Sequence, residues 1–285
     1  MPGCAPSACT RKRGSPLIEW QAPAIVLDAR PYGEGGAVAV VLTETHGRHG
    51  GMVHGGTSRA QAAVWQAGNL IEARWRARLA DQLGNLSGEM VHATAALAME
   101  DPLALALLSA ACAVAGEALP EREPHPRLFR GLLPILARLG AQPAATPELL
   151  PDYIRWELML LTDLGYGLDL SRCAQTGVSE GLTHVSPRTG RAVCAAVAEP
   201  YRDRLLPLPA FLRDAEAASG PEDWAAGLRL TGHFLARDAF GTRHRPVPAG
   251  REMLYDRVSA LAAPGELPGE LPGEPPEVPP GEVSA

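Results

Sequence analysis

The sequence has almost no lysine. Lys12 is the only one, so every other fixed cation among the 285 residues is an arginine. Each basic contact can therefore be planar and bidentate, the geometry that matches carboxylates and phosphates. Cysteine is sparse as well. Five scattered residues, an odd number, make no disulfide framework, and reduced thiols in the cytoplasm are the expectation. No apolar run approaches the ~20 residues that a membrane-spanning helix needs. The leader "MPGCAPSACTRKRGSP" has basic residues but no apolar stretch behind them, unlike a secretory signal. Catalytic signatures are missing too. "GGTS" lacks the lysine of a phosphate-binding loop, and no G-x-S-x-G elbow occurs. A Cys–His nucleophile would have to come from Cys173 and His184 alone. The chain is not expected to be an enzyme.

The net charge of -6 is mildly acidic, but it is unevenly spread. Residues 264–285 hold five glutamates and no base, in the repeat "PGELPGELPGEPPEVPPGEV". Proline denies this tail helix and sheet, and its few apolar residues cannot build a core, so a disordered tether is expected. Residues 1–17 read as an unstructured leader. The front of the folded sequence is close to neutral, and the acidic excess lies behind it.

What is present divides in two. From Ile18 the pattern is β. "AIVLDAR" (24–30) and "AVAVVLTE" (37–44) read as strands, the turn "THGRHGG" follows, and "MVHGG" gives a third, short strand. "LIEARWRARL" (70–79) alternates with period two. Ile71, Ala73, Trp75, Ala77 and Leu79 fall on one face. Arg74, Arg76 and Arg78 fall on the other, about 6.8 Å apart. Short strands at this spacing predict a small antiparallel barrel over 18–85. After Asn85 the sequence turns to Ala, Leu and Met, strong helix formers. Helices are predicted through "SGEMVHATAALAMEDPLALALLSAACAVAGEAL", over 129–140, 151–167, 221–240 and 250–263. The helical domain thus covers 86–263, interrupted by an insert at 171–200.

The insert opens "CAQTG", and a second cysteine follows twenty-one positions later in "VCAAV". Each is the first half of a C-x-x-C pair whose second cysteine is missing. Thr176 and Val197 stand in those places. A closed structural zinc site needs four Cys or His ligands, and only Cys173, Cys194 and His184 are on offer. The expectation is a degenerate, metal-free knuckle with no cofactor.

Five stretches are similar to the bacterial DNA repair family RecO: "EWQAPAIVLDARPYGEGGAVAVVLTETHGRHGG", "LGYGLDLSRCAQTG", "VSPRTGRAV", "YRDRLLPLPAFL" and "GLRLTGHFLARDAF". They run in order from residue 19 to residue 240. The resemblance implies an α+β fold, with an N-terminal antiparallel β-barrel of the OB-fold type followed by an α-helical domain carrying a small zinc-ribbon-like insert. It also implies non-catalytic work. RecO-like proteins bind single- and double-stranded DNA and anneal complementary strands. They act with RecR and with the acidic C-terminal peptide of the single-strand-binding protein, and so help load RecA. This sequence departs from the family in two places. The basic run that follows the third strand in many members is reduced to Arg59, and the knuckle has lost half its cysteines.

The candidate DNA-binding residues are therefore Arg74, Arg76 and Arg78 on one strand face, extended by Arg30, Arg48 and Arg59. The alternative is an ordinary solvated sheet face. Trp65 and Trp75 are candidates for base stacking, although Trp75 falls on the apolar face. His46, His49 and His54 lie in or beside the glycine-rich turn and are expected to meet phosphate when protonated. A second basic cluster, Arg237, Arg243, Arg245 and Arg251, is either a solvated loop or a docking surface for DNA or an acidic peptide. A different class of reading also stands: a protein–protein adaptor whose barrel has little DNA affinity.

Overall fold

A computed structural model describes residues 17–79 and 81–263. The leader, up to residue 16, and the acidic tail, 264–285, both lie outside the described residues. Five strands close into a barrel: β1 (Ile18–Tyr32), β2 (Gly36–Thr43), β3 (Gly47–Val53), β4 (Leu70–Ala77) and β5 (Asn85–His92), in the order β1-β2-β3-β5-β4. A short helix, α1 (Arg59–Val64), links β3 to β4. The interior is filled by inward residues of every strand, among them Val26, Val41, Val53, Trp75 and Leu86. Four of the five seams are antiparallel ladders of seven or more residue pairs. The fifth, between β3 and β5, is the single parallel pair Met52↔Asn85, beside a hydrogen bond donated by the Met52 amide to the Gly84 carbonyl at 2.9 Å.

Several expectations shift here. β5 falls in a stretch that reads as helical, so the barrel runs to 92 rather than 85. Its burial explains the misreading: Leu86 is its only buried residue, so it lacks the alternation of β4, and Ala- and Met-rich neighbours speak for helix. Pairing with β4 overrides that propensity. The turn before β3 also ends earlier than "THGRHGG" predicts. It covers only 44–46, with Thr43 Oγ1 accepting from the His46 amide. Gly47 then starts the strand at φ +64, and Gly51 lies against Leu86 and Trp75, where a side chain has no room.

β1 carries a bulge between Val26 and Asp28. Val26 and Ala29, three apart, both face the barrel interior, which strict alternation forbids. The extra residue turns Leu27 outward into the helical core and places Asp28 and Arg30 on that same outer side.

The helical part comprises α2 (Thr94–Ala98), α3 (Pro102–Ala118), α4 (Pro126–Ala141), α5 (Thr146–Asp163), α6 (Ala195–Ala198), α7 (Pro221–Phe234) and α8 (Ala249–Ala262). α3 is the central element. Asp101 caps it, its carboxylate accepting from the Leu103 and Ala104 amides at 2.8 and 2.9 Å, and Pro102 sits at the first turn. It is apolar on nearly all sides because it packs on α8 along one flank and on β1 and β2 along another. Ile25, Leu27, Leu42 and Leu70 of the barrel join the helical core, so barrel and helices share one apolar cluster.

The insert forms a three-stranded sheet of β6 (Leu182–Val185), β7 (Ala192–Cys194) and β8 (Leu206–Pro207), in the order β7-β6-β8. It therefore extends past residue 200. Cys173, Leu182, Val185, Ala192, Val193 and Cys194 are all part of the main core. The apolar contacts that hold the ribbon are thus those of the helical domain itself. No helix among the described residues is long and apolar enough to cross a membrane.

Candidate nucleic-acid interface

The predicted arginine face exists, but it is not a free row of cations. On the outer side of the barrel, Arg74 and Arg76 stand opposite Gln21 and Glu19 of β1 and opposite Ser87 and Asn85 of β5. Both guanidinium groups pair with the one Glu19 carboxylate, Arg76 at 3.1 Å. They remain 46% and 47% exposed. The hydrogen bond from Arg74 is the main cause that holds the Glu19 carboxyl below its usual value; burial opposes it and Arg76 reinforces it. One step further along the same face, Glu72 of β4 lies directly opposite Glu89 of β5. The face therefore sets two guanidinium groups against three carboxylates. Arg78 lies just beyond the end of β4 in a bend, and Leu79 is 56% exposed rather than inward. The ladder stops at Ala77, so the alternation has nothing to orient it further. Arg59 is the exposed first residue of α1, whose cap is Ser58.

A second arrangement brings together residues that the sequence keeps apart. Arg30 and Arg48 from the barrel and Arg243 and Arg245 from the loop before α8 line one cleft of about 710 Å³ between the barrel and α3. Its floor is apolar, with Leu27, Val38, Val40, Ala113 and Pro120. Two of the four cations are fixed by backbone oxygens at the end of α3. Arg48 Nε donates to the Leu119 carbonyl at 2.9 Å, and Arg243 Nη1 donates to the Ala118 carbonyl at 3.0 Å. The last carbonyls of a helix have no partner within it and favour a nearby cation. The other two are paired, Arg30 with Asp28 at 2.7 Å and Arg245 with Glu117 at 2.6 Å. Among the described residues, Asp28 and Glu117 are the acids on the cleft lining, against four arginines.

The rest of the second basic cluster is structural. Arg251, expected in a docking surface, is buried within α8, its side chain 3% exposed. Its guanidinium bonds Glu157 of α5, whose side chain is 0% exposed, with one contact at 3.0 Å. It also donates to the Leu228 carbonyl and to Thr231 Oγ1. Such a pair is buried because each charge supplies the partner the other needs. Arg237 pairs with Asp238, lies over the Phe234 ring at 4.8 Å and donates to the Pro187 and Arg188 carbonyls. It fastens the turn of the insert to the end of α7 and is not a free docking cation.

Three of the aromatic and histidine candidates, Trp75, His46 and His49, gather around Trp20. Trp20 stacks on His46 at 4.6 Å and on Trp75 at 6.2 Å, and His49 meets Trp75 edge-on at 4.7 Å. Trp75 is buried as expected, and Trp65 is buried as well, donating to Gln61 at 3.2 Å. Neither ring presents a face to a base. His49 is buried too, so the reading of it as a protonated phosphate contact does not hold. Burial first, then the nearby Arg122 cation, pushes its pKa from 6.5 down to about 4. His46 is lowered by burial. His54 is exposed and lies 2.9 Å from Asn85 Oδ1. Folding keeps His49 neutral where the unfolded chain would bind a proton, so its contribution to stability falls as pH drops from about 6.5 towards 4. Acid-induced loss of roughly 2 kcal/mol over that window is expected from this residue, and His49→Gln should flatten the pH profile of urea unfolding between those limits.

In the insert, the Cys194 amide donates to Cys173 Sγ at 3.4 Å, and Thr176 Oγ1 lies 3.8 Å from Cys194 Sγ. Burial raises the Cys173 pKa, but the Thr176 hydroxyl and the Cys194, Thr176 and Gln175 amides outweigh it and bring the thiol to about 6. Val197 packs against the core. Among the described residues no group of three His, Cys, Asp or Glu side chains is placed to hold a metal.

Two acids that matter here, Glu19 and Glu157, differ in how far the sequence announces them. Glu19 lies one residue before Trp20 on the partner strand of β4, and only the register makes it the partner of Arg74 and Arg76. Glu157 sits inside the apolar stripe of Ile154, Leu158 and Leu161, a position that announces a buried charge.

The family model described as "Recombination protein O N terminal" matches residues 17–94, and that described as "Recombination protein O C terminal" matches residues 99–245. The chain is 58% identical over 245 residues to the DNA repair protein RecO of Granulibacter bethesdensis, covering 86% of this chain and 97% of that one. It is 56% identical over 251 residues to the RecO of Gluconacetobacter diazotrophicus, covering 88% and 98%. It is also 56% identical to the RecO of Acidiphilium cryptum, covering 85% and 96%.

Proposed function

The chain belongs to the RecO family of DNA repair proteins, and from that premise we propose a non-catalytic recombination mediator that binds and anneals single-stranded DNA and helps load recombinase. Its five-stranded barrel is read as an OB-fold, with α1 between β3 and β4 as the capping helix. Partners on this reading are single- and double-stranded DNA, RecR and the acidic C-terminal peptide of the single-strand-binding protein, with RecA engaged indirectly, in the cytoplasm. The insert works without metal, because its core is that of the helices. No cofactor is required.

The observation that carries the reading is the cleft. Arg30, Arg48, Arg243 and Arg245 converge there against two acids, whereas the β4 face is balanced by Glu19, Glu72 and Glu89. Planar guanidinium groups held by fixed carbonyls are pre-oriented donors for phosphate oxygens. The polyanion track is accordingly centred on the cleft, and Arg74, Arg76, Arg78 and Arg59 extend it more weakly.

Fluorescence anisotropy with a labelled single-stranded oligonucleotide across a salt series tests this. Each phosphate contact adds about 0.7 to the salt slope on a single strand. Arg30→Ala with Arg245→Ala is expected to weaken binding about tenfold at low salt and lower the slope by about 1.4. Arg74→Ala with Arg76→Ala is expected to do less, since three carboxylates meet those two cations, whereas four arginines meet two acids in the cleft. The acidic balance of the β4 face favours the adaptor reading instead, and that reading requires negligible binding even at low salt. Turnover of nucleotide or ester is not expected in either case.

A further inference from the structure

The cleft between the barrel and α3 has an apolar floor and a rim of four arginines. The sequence of the same chain holds a segment with matching chemistry. Beyond Ala263, residues 264–285 carry Glu266, Glu270, Glu274, Glu277 and Glu282, with no cation among them. Leu267, Leu271, Val278 and Val283 each directly follow one of those glutamates. Each Pro-Gly-Glu-Leu unit therefore offers one carboxylate for a guanidinium group and one branched apolar side chain for the floor. Four arginines against Asp28 and Glu117 leave a cation excess that such a segment neutralises.

Distance does not forbid the match. α8 ends at Ala262, and the 22 residues after Ala263 can span up to about 70 Å. A fold of this size is roughly 45 Å across. A ligand carried on its own chain stands at an effective concentration on the order of millimolar, so weak contacts suffice to fill the cleft.

We propose that the acidic Pro-Gly-Glu tail docks in the arginine-rimmed cleft of its own chain and competes there with DNA. The proposal deepens the DNA-binding reading by giving that surface an internal competitor. DNA must displace the tail, so long or abundant strands are favoured over short or incidental ones.

The test uses the full chain and a full-chain variant carrying Glu266→Gln, Glu270→Gln, Glu274→Gln, Glu277→Gln and Glu282→Gln. A fluorescein-labelled peptide of residues 264–285 is titrated with each at low salt. The glutamine variant is expected to bind the peptide about tenfold or more tightly than the native chain, whose own tail fills the cleft. Adding Arg30→Ala and Arg245→Ala should abolish that binding. Arg30→Lys with Arg245→Lys, which keeps the charge but loses the bidentate fork, replaces the alanine pair if the latter fails to fold, and should weaken it. The glutamine variant should also gain about tenfold in oligonucleotide affinity, and the gain should vanish in the arginine-substituted background. Absent peptide binding, equal binding by both chains, or binding untouched by the arginine substitutions overturns the proposal. A DNA gain that survives loss of the arginines also overturns it, because bulk repulsion then explains it. If the peptide behaves as expected and neither chain binds DNA, docking stands and the DNA-binding reading falls. If DNA binds and the peptide does not, the reverse holds.

Discussion

Replacing Glu157 by alanine is expected to destabilise the protein by about 3–5 kcal/mol at pH 7, the largest effect of any single charge removal here. The carboxylate is fully buried and meets Arg251 from α8 and Thr231 from α7. Its loss leaves a guanidinium inside the core with only the Leu228 carbonyl and the Thr231 hydroxyl. An unpaired buried charge is far more costly than the pair is favourable. It follows that the double variant Glu157→Leu with Arg251→Met should recover most of the lost stability, since an apolar pair of similar volume replaces the ion pair. Urea unfolding of the three proteins checks this. A double variant no more stable than Glu157→Ala would mean that the pair contributes more than mutual neutralisation.

The second large effect is expected at Gly47. Its φ of +64 disfavours a side chain, and a Cβ there would lie 2.0 Å from the Glu123 carbonyl oxygen. That oxygen belongs to the segment between α3 and α4, so the clash is between barrel and helical domain. Gly47→Ala should cost about 3 kcal/mol, combining left-handed strain of about 1–2 with overpacking against backbone. Gly33 is the control. Its φ is +61 and nothing lies within 4 Å of its Cβ position, so Gly33→Ala should show only the strain. The difference in thermal midpoints measures how tightly the barrel is seated on the helices. Equal losses for the two variants would mean that the Glu123 segment moves aside freely.

How much of this was readable from sequence depends on whether a signal is local. The alternation of β4 places Ile71, Ala73 and Trp75 inward because period two needs no knowledge of the rest of the chain. α4, α5, α7 and α8 are found close to their predicted spans for a similar reason, although α7 gives way to a π-helical turn at Leu235–Phe240. β5 is different. It is a strand because β4 and the end of β3 provide partners, and its own residues carry no such pattern. The bulge at Val26–Asp28 is equally silent in the sequence, yet it decides that Arg30 faces the cleft.

The candidate site shows the same division. Residue type identified the arginines, but role depends on neighbours far along the chain. Arg48 and Arg243 became ties to the end of α3 across 71 and 125 positions. Arg251 went into the core across 94 positions, and Arg237 became a fastener for the insert. The meeting of Arg30 and Arg48 with Arg243 and Arg245 joins two clusters that were read as separate surfaces, and no spacing rule links them.

The seam between β3 and β5 has a consequence of its own. A hoop fastened firmly at four joints and by one clasp at the fifth yields at the clasp. Transient parting of Met52 from Asn85 leaves the long ladders intact and bares the backbone of two neighbouring staves. Opening of the barrel is therefore expected first along this line, where one ladder pair, the Met52–Gly84 hydrogen bond and the His54–Asn85 contact have to part.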